Sequence, residues 1–366
     1  MKVTLVHFCF YEYTVQLANA LADYVELTLV HPEELSAVCK DILDPRIRVF
    51  SFKKPRIRDP RNLLSMSTMM DIIHKSQPDV LHVQETNDPW YDFTLLLNKM
   101  PPLVTTIHDV FRHPGDKGAV PTSEYTRRIA FYRSQQLIVH ANLLKDALVE
   151  AFKVPGQRVS VLPHGELGTM YQNLATNKDI VREPYTLLFY GRIWPYKGLK
   201  YLLEAMPLIA EHIPDIKLII AGRGEELERY FPNGWDCNRY EVLNHFILEE
   251  EVAALFERST AVILPYIEAS QSGVASVAYA MGTPVIASRV GGLAEMIQDE
   301  KDGLLVPPGD VTALAKAVIR LLTDINLQNQ LRTAGLQRCQ SDLNWSNIAA
   351  GTVEVYSKAI YLKSGL

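Results

Sequence analysis

One pattern constrains this chain more than any other, and it occurs twice. Short apolar runs succeed one another up to about Pro163: KVTLVHF, VELTLV, IRVFSF, DVLHV, LVTTI, QLIVH and RVSVL. They are apolar at nearly every position, as strands buried on both faces must be. Between them lie stretches of helical period, such as Glu12 to Ala22 and Leu63 to His74. Alternating strands and helices imply a parallel sheet covered by helices on both faces. The stretch 166–184, ELGTMYQNLATNKDIVREP, has no periodicity and reads as a linker. The alternation then restarts with YTLLFYG, IKLIIAG, AVILP, PVIAS and GLLVP. The expectation is an α/β chain of two doubly wound, Rossmann-like domains, 1–170 and 184–345. The amphipathic stretch from Trp345 to Leu362 follows a complete second domain. Residues 346–366 are expected to form a helix that either caps the second domain or, the preferred reading, crosses back to the first. The length of 366 residues agrees with two domains.

Composition removes several classes. At 48% apolar and 22% charged, the chain is not of the disordered kind. Lys plus Arg total 37 against 42 Asp plus Glu, a net charge of −5, which argues against a general nucleic-acid binder. No apolar run approaches the ~20 residues of a spanning helix. The start, MKVTLVHFCF, reads as a first strand rather than a leader. Cys9, Cys39, Cys237 and Cys339 form no CxxC pair. That spacing predicts neither a zinc site nor a disulfide framework, and suits a reducing cytoplasm.

Ligands of open parallel sheets sit at the carboxyl ends of the strands. The cleft between two such domains is thus the expected site. No GxGxxG follows the first strand, AGRGEE has two of the three glycines, and no GxxxxGK[ST] loop exists, so hydride transfer and P-loop chemistry lose their support. What the second domain does carry is YTLLFYGRIWPYKGLKYLLEAM. A strand ends at Gly191, and Arg192 and Lys197 lie on the loop before a helix. A planar fork and a point charge on one strand-end loop suit a diphosphate, although a bare R-x4-K is more often a solvated loop. Farther on, AVILPYIEASQSGVASVAYAMGTPVIAS ends a strand at Pro265. Glu268, Ser270, Ser272, Gly273 and Val274 then lead into a helix of small residues. Ser272 is a natural capping residue, and a glycine at a helix start lets an anion approach the free N–H groups. An ordinary capped helix would read the same way.

Taken together, GR-x4-KG, the Pro-terminated strand, the Glu, the glycine-bearing helix start and G-x-PV-x-A resemble the retaining glycosyltransferases of family 4, which have the GT-B fold. VGGLAEMIQDEKDGLLVPPGD, KVPGQRVSVLPHGEL and TTIHD extend the resemblance over most of the chain. It implies that Arg192 and Lys197 bind the donor diphosphate with the backbone at Ser272, Gly273 and Val274. It implies that His108 stands near the transferred sugar, and that Phe246 and Ile247 meet the nucleotide base. The loop from Phe10 through Tyr11, Glu12 and Tyr13 occupies the place of the family's paired glycines on the acceptor side. The family's two glutamates eight residues apart are not both present. One register puts Ala269 and Val277 there, the other Ser270 and Ala278, which leaves Glu268 as a near match to the first.

The resemblance thus implies transfer of a hexose, with retention, from a nucleotide diphosphate donor such as UDP-glucose to a sugar or glycolipid acceptor. The competing reading is a non-catalytic sugar-nucleotide-binding subunit of the same fold. No cofactor or metal is expected, since no Asp-x-Asp stretch occurs and metal ligands do not cluster. One further run, SFKKPRIRDPRN, concentrates Lys53, Lys54, Arg56, Arg58 and Arg61 in an acidic chain. Such a run is usually a solvated loop. It is also the composition that lies against anionic lipid, where each cation adds about 1 kcal/mol, making peripheral contact with the inner membrane face the second expectation.

Overall fold

A computed structural model describes residues 1–35, 42–86, 88–111, 124–175, 180–231 and 236–364. The described residues fall into two compact units. The first lies within Met1–Val110, Gly118–Gly165 and Trp345–Leu366, and the second contains Glu166–Asn344 and Phe111.

Unit 1 is built on seven strands: β1 (Lys2–Val6), β2 (Glu26–Pro32), β3 (Arg48–Phe52), β4 (Val80–Gln84), β5 (Leu103–Thr106), β6 (Gln136–Val139) and β7 (Val159–Val161). Their order is β3-β2-β1-β4-β5-β6-β7, and every pairing is parallel. β4 is buried at all five positions and β5 and β6 at all four, which is why their runs carry no polar alternation. His82 lies within β4 rather than after it. Its Nδ1 pairs with the Tyr356 hydroxyl at 2.7 Å and its Nε2 with the Thr106 hydroxyl at 2.8 Å.

Tyr356 belongs to the helix Trp345–Ser364, which packs in unit 1 against the helix Tyr11–Leu21 and strands β4, β5 and β6. Its Trp345, Ile348, Val355 and Tyr356 are buried, so the return of this helix closes the first unit's core.

Unit 2 holds six strands: β8 (Thr186–Tyr190), β9 (Lys217–Ala221), β10 (Tyr240–Leu243), β11 (Ala261–Leu264), β12 (Val285–Ser288) and β13 (Leu304–Val306). The order is β10-β9-β8-β11-β12-β13, again wholly parallel. Each sheet changes direction of growth once, between β1 and β4 and between β8 and β11. Such switch points open a crevice at the strands' carboxyl ends.

The stretch expected to be a linker contains the helix Gly168–Leu174, which packs on the helices Glu249–Arg258 and Gly273–Ala280 of unit 2. Seven residues are too few to hold a helix by propensity, so this one exists through its packing. Residues 176–179 of that stretch lie outside the described residues.

Candidate functional site

At the switch point of unit 2, β8 and β11 deliver their loops to one place. β8 ends at Tyr190, and Gly191 N donates to Ala221 O at 2.9 Å. Arg192 follows, exposed. Ile193 N then donates to Arg223 O, so the chain stays tied to β9 while the arginine projects. A single 3-10 turn, Pro195–Lys197, carries the half-buried lysine. Gly198, at φ +70°, then starts the helix Leu199–Ala210. A Cβ at Gly198 would collide with the Pro265 carbonyl, so only glycine lets the β8 and β11 loops approach this closely. Ile267 N donates to Tyr196 O at 2.8 Å and fixes their register.

Between the loops lies Tyr266, fully buried. The Lys197 Nζ stands 3.8 Å from its ring centroid, an arrangement worth about 0.5–2 kcal/mol. Burial pushes the Tyr266 hydroxyl up to about 12, while Ser272 and the charge of Arg192 pull it down. Arg192, Lys197 and Ser272 therefore converge on one tyrosine. Sequence reading did not single Tyr266 out. Nothing in its pattern separates it from the strand before it.

The β11 loop is held from a third side. Gly292 N donates to Ala269 O at 3.1 Å, and Gly291, at φ +46°, passes so close that a Cβ would strike the same carbonyl. This gives the VGG run a local role: it clamps the segment that leads into the helix Gly273–Ala280. Ser272 occupies the N-cap position, but contrary to the capping expectation its hydroxyl caps nothing. It is 4% exposed and lies beside the Tyr266 hydroxyl, outside hydrogen-bond geometry. The helix start, with no side-chain cap, leaves backbone N–H groups of the kind that meet an anion. Ser270, Gly273 and Val274 are half-buried in this segment, and Glu268 is exposed at its start. In the loop after β10, Phe246 is exposed and Ile247 buried. Among the family's second-glutamate positions, Val277 and Ala278 are buried in the helix.

Unit 1 corrects two expectations. Tyr11, Glu12 and Tyr13 form the first turn of the helix Tyr11–Leu21, not a loop. Tyr13 is a core residue, 3% exposed, with ring centroids about 5 Å from those of His108, His140, His164 and Trp345. His108 does follow β5, but its side chain is fully covered. Phe10, itself at φ +59°, stacks on it with centroids 3.9 Å apart, and its Nε2 donates to the Gln84 amide oxygen at 2.9 Å. Burial, then the neighbouring His140 and His164, hold His108 well below the usual imidazole range. Beneath it, the buried Glu85 pairs with Arg127 and accepts the backbone N–H groups of His108, at 3.2 Å, and Asp109. That carboxylate fixes the loop after β5, another role not legible in the sequence.

The run from Lys53 to Arg61 is corrected at one position. Lys54 is turned inward, 2.6 Å from the Asp88 carboxylate and bonded to Asn62, while Lys53, Arg56, Arg58 and Arg61 are exposed. Among the described residues no three His, Cys, Asp or Glu side chains gather as a metal site, and no helix is long and apolar enough to cross a membrane.

Comparison with known proteins identifies the family and the fold. Residues 184–324 match the family model "Glycosyl transferases group 1", and residues 2–141 match "Glycosyl transferase 4-like". An uncharacterised glycosyltransferase of Methanocaldococcus jannaschii is 28% identical over 81% of this chain and 79% of its own. Phosphatidyl-myo-inositol mannosyltransferase of Mycobacterium leprae is 28% identical over 76% and 73%. Among solved structures, sucrose-phosphate synthase from Thermosynechococcus elongatus superposes with a TM-score of 0.72 at 21% identity, covering 99% of both chains. Anabaena HepE, solved in complex with UDP-glucose, gives 0.72 at 16% identity over 98% and 99%. These likenesses bear out the GT-B class expected for the fold. With both units matched, the chain belongs to the group 1, family 4-like glycosyltransferases.

Proposed function

We propose that the protein transfers a hexose from a nucleoside diphosphate sugar, UDP-glucose or another UDP-hexose, to a sugar or glycolipid hydroxyl with retention at the anomeric carbon. The observation that carries this is the convergence of Arg192, Lys197 and the uncapped helix start at Ser272 around Tyr266, at the switch point of unit 2. As the bond from the sugar's anomeric carbon to the diphosphate breaks, the electron pair leaves with the diphosphate. Two cations and the helix N-terminus stabilise that growing charge, which lowers the barrier only to the extent that they meet it better in the transition state. Exposed Phe246, after β10, offers a face to the base, and Glu268, after β11, accepts ribose hydroxyls. The retaining outcome and the UDP donor rest on the family resemblance. The names of solved neighbours, in complex with UDP and UDP-glucose, support the donor.

The test is donor turnover without acceptor, since an active transferase slowly hydrolyses its nucleotide sugar. Arg192→Ala and Lys197→Ala are each expected to lose about 1.5–3 kcal/mol of donor stabilisation, a drop of ten- to a hundredfold or more in kcat/KM, with the fold intact. Near-normal turnover in both variants refutes the diphosphate assignment. A parent that binds but never turns over any nucleotide sugar gives the non-catalytic reading, which the apolar Val277 and Ala278 favour.

A further inference from the structure

We infer that unit 1 carries a docking surface for an anionic phospholipid bilayer, formed by the helices Asn62–Ser76 and Pro89–Leu97 and the basic loop before them. The helices pack side by side. The first turn of the first helix, at Leu63 and Leu64, and the outer face of the second, at Phe93, Leu96 and Leu97, are apolar where water is expected, while the rest of the first helix's outer face is polar. Leu64 is 71% and Leu97 81% exposed, and Leu63, Phe93 and Leu96 are more than half exposed. Leu63, Phe93, Leu96 and Leu97 line a groove of about 280 Å³ with only Met66, Trp90 and Thr94 beside them. A contiguous exposed patch of this kind marks an interaction surface.

Charge identifies the partner. The loop from Lys53 to Arg61 meets the apolar face at two points. The Trp90 indole donates to Ile57 O at 2.7 Å, tying the loop to the second helix. A second groove brings Lys53 and Arg61 together with Leu64. Lys53 and Arg61 therefore lie beside Leu64, and the exposed Arg56 and Arg58 flank in sequence the Ile57 that Trp90 holds. The opposing carboxylates are Asp59, which pairs with Arg61, Glu33 and Glu34 at the edge of the second groove, and the exposed Asp71 of the first helix. Cations flanking an apolar face match a surface whose headgroups are anionic and whose interior is hydrocarbon. In a chain of net charge −5, this is a local departure from the overall balance.

The experiment is co-sedimentation of the full chain with vesicles of phosphatidylcholine containing about 30% phosphatidylserine, against vesicles of phosphatidylcholine alone, at low and raised salt. Binding is expected to the anionic vesicles, at least tenfold stronger than to the neutral ones and weakened by salt. Arg56→Ala with Arg58→Ala is expected to lower the partition about 25-fold, at about fivefold per cation. Leu64→Ser with Leu97→Ser should lower it on anionic vesicles without changing the thermal melt. Equal binding to both vesicles, no binding, or variants without effect overturns the inference. So does a dimer by ultracentrifugation that Leu97→Ser dissolves, which assigns the face to a second copy. The assay reads lipid binding rather than transfer, so it is independent of the proposed reaction.

Discussion

Lowering the pH should destabilise unit 1 through its buried histidines. His7, His82, His108, His140 and His164 are all buried in this unit. Burial holds His7, His82 and His140 down at about 3 and His164 at about 4, and His108 well below its ordinary value. In the unfolded chain each titrates near 6.5. Above that pH neither state binds the proton and nothing is lost. Below it the unfolded state takes up protons that the folded state refuses, so each histidine costs about 1.4 kcal/mol per pH unit. Two buried carboxyls act in the opposite sense. Burial raises Asp92 to about 7, and raises Glu85 against the pull of Arg127, so the folded state holds their protons longer than the unfolded one does. Five histidines against Asp92 leave about four net protons, or about 5 kcal/mol per unit between pH 6 and 5, and the raised Glu85 reduces this further. A domain of ordinary stability, about 5–15 kcal/mol, would lose much of it by pH 4–5. Hydrogen exchange of unit 1 amides at pH 7, 6 and 5 measures this separately from unit 2. His140→Gln, which keeps a donor for the Leu162 carbonyl, should reduce the slope by about 1.4 kcal/mol per unit. Protection that is flat between pH 7 and 5, or a slope unchanged in His140→Gln, refutes the reasoning.

Glu268→Ala is expected to weaken donor binding by about one to two orders of magnitude, the scale of one or two charged hydrogen bonds, read by calorimetry. Tyr266→Phe keeps the ring under Lys197 and should hold donor affinity within about threefold. Tyr266→Ala should lose about tenfold and destabilise unit 2 by about 3–5 kcal/mol in a urea melt. Gly198→Ala combines a left-handed backbone with a collision at the Pro265 carbonyl, so a loss of at least about 2 kcal/mol and about 4–8 °C in Tm is expected. Donor turnover should persist in the presence of a chelator. Loss that Mg²⁺ or Mn²⁺ restores would overturn the metal-free reading.

What the sequence made legible followed from burial. Strands such as Ala261–Leu264, apolar on both faces, could be read directly, whereas the strand order and its two switch points could not. Tyr240–Leu243 was missed because it is the half-exposed edge of its sheet, where no two-sided apolar signature is required. The diphosphate loop was legible as Arg192 and Lys197 because charge on a strand-end turn stands out against an apolar background. Tyr266 was not, since a tyrosine after a buried strand looks like more core. In unit 1 the misreading had a nonlocal cause. Tyr13 takes a position where a glycine loop was expected, and part of its burial comes from Trp345, hundreds of residues away in the chain. His108 likewise follows its strand as expected, but its cover is supplied by Phe10.

The returning helix Trp345–Ser364 has a consequence for synthesis. Unit 1 begins at the first strand, yet the hydrogen bond from His82 to Tyr356 forms only after residues 166–344 have been made. At ~5–20 residues per second, the ribosome leaves the nascent first sheet with an uncovered apolar face for on the order of ten to forty seconds. Unit 2 therefore completes its sequence before unit 1 does. The interval exposes β4, β5 and β6 to whatever binds apolar surface at the exit tunnel, so chaperone dependence of this chain should depend on its final helix rather than on its length.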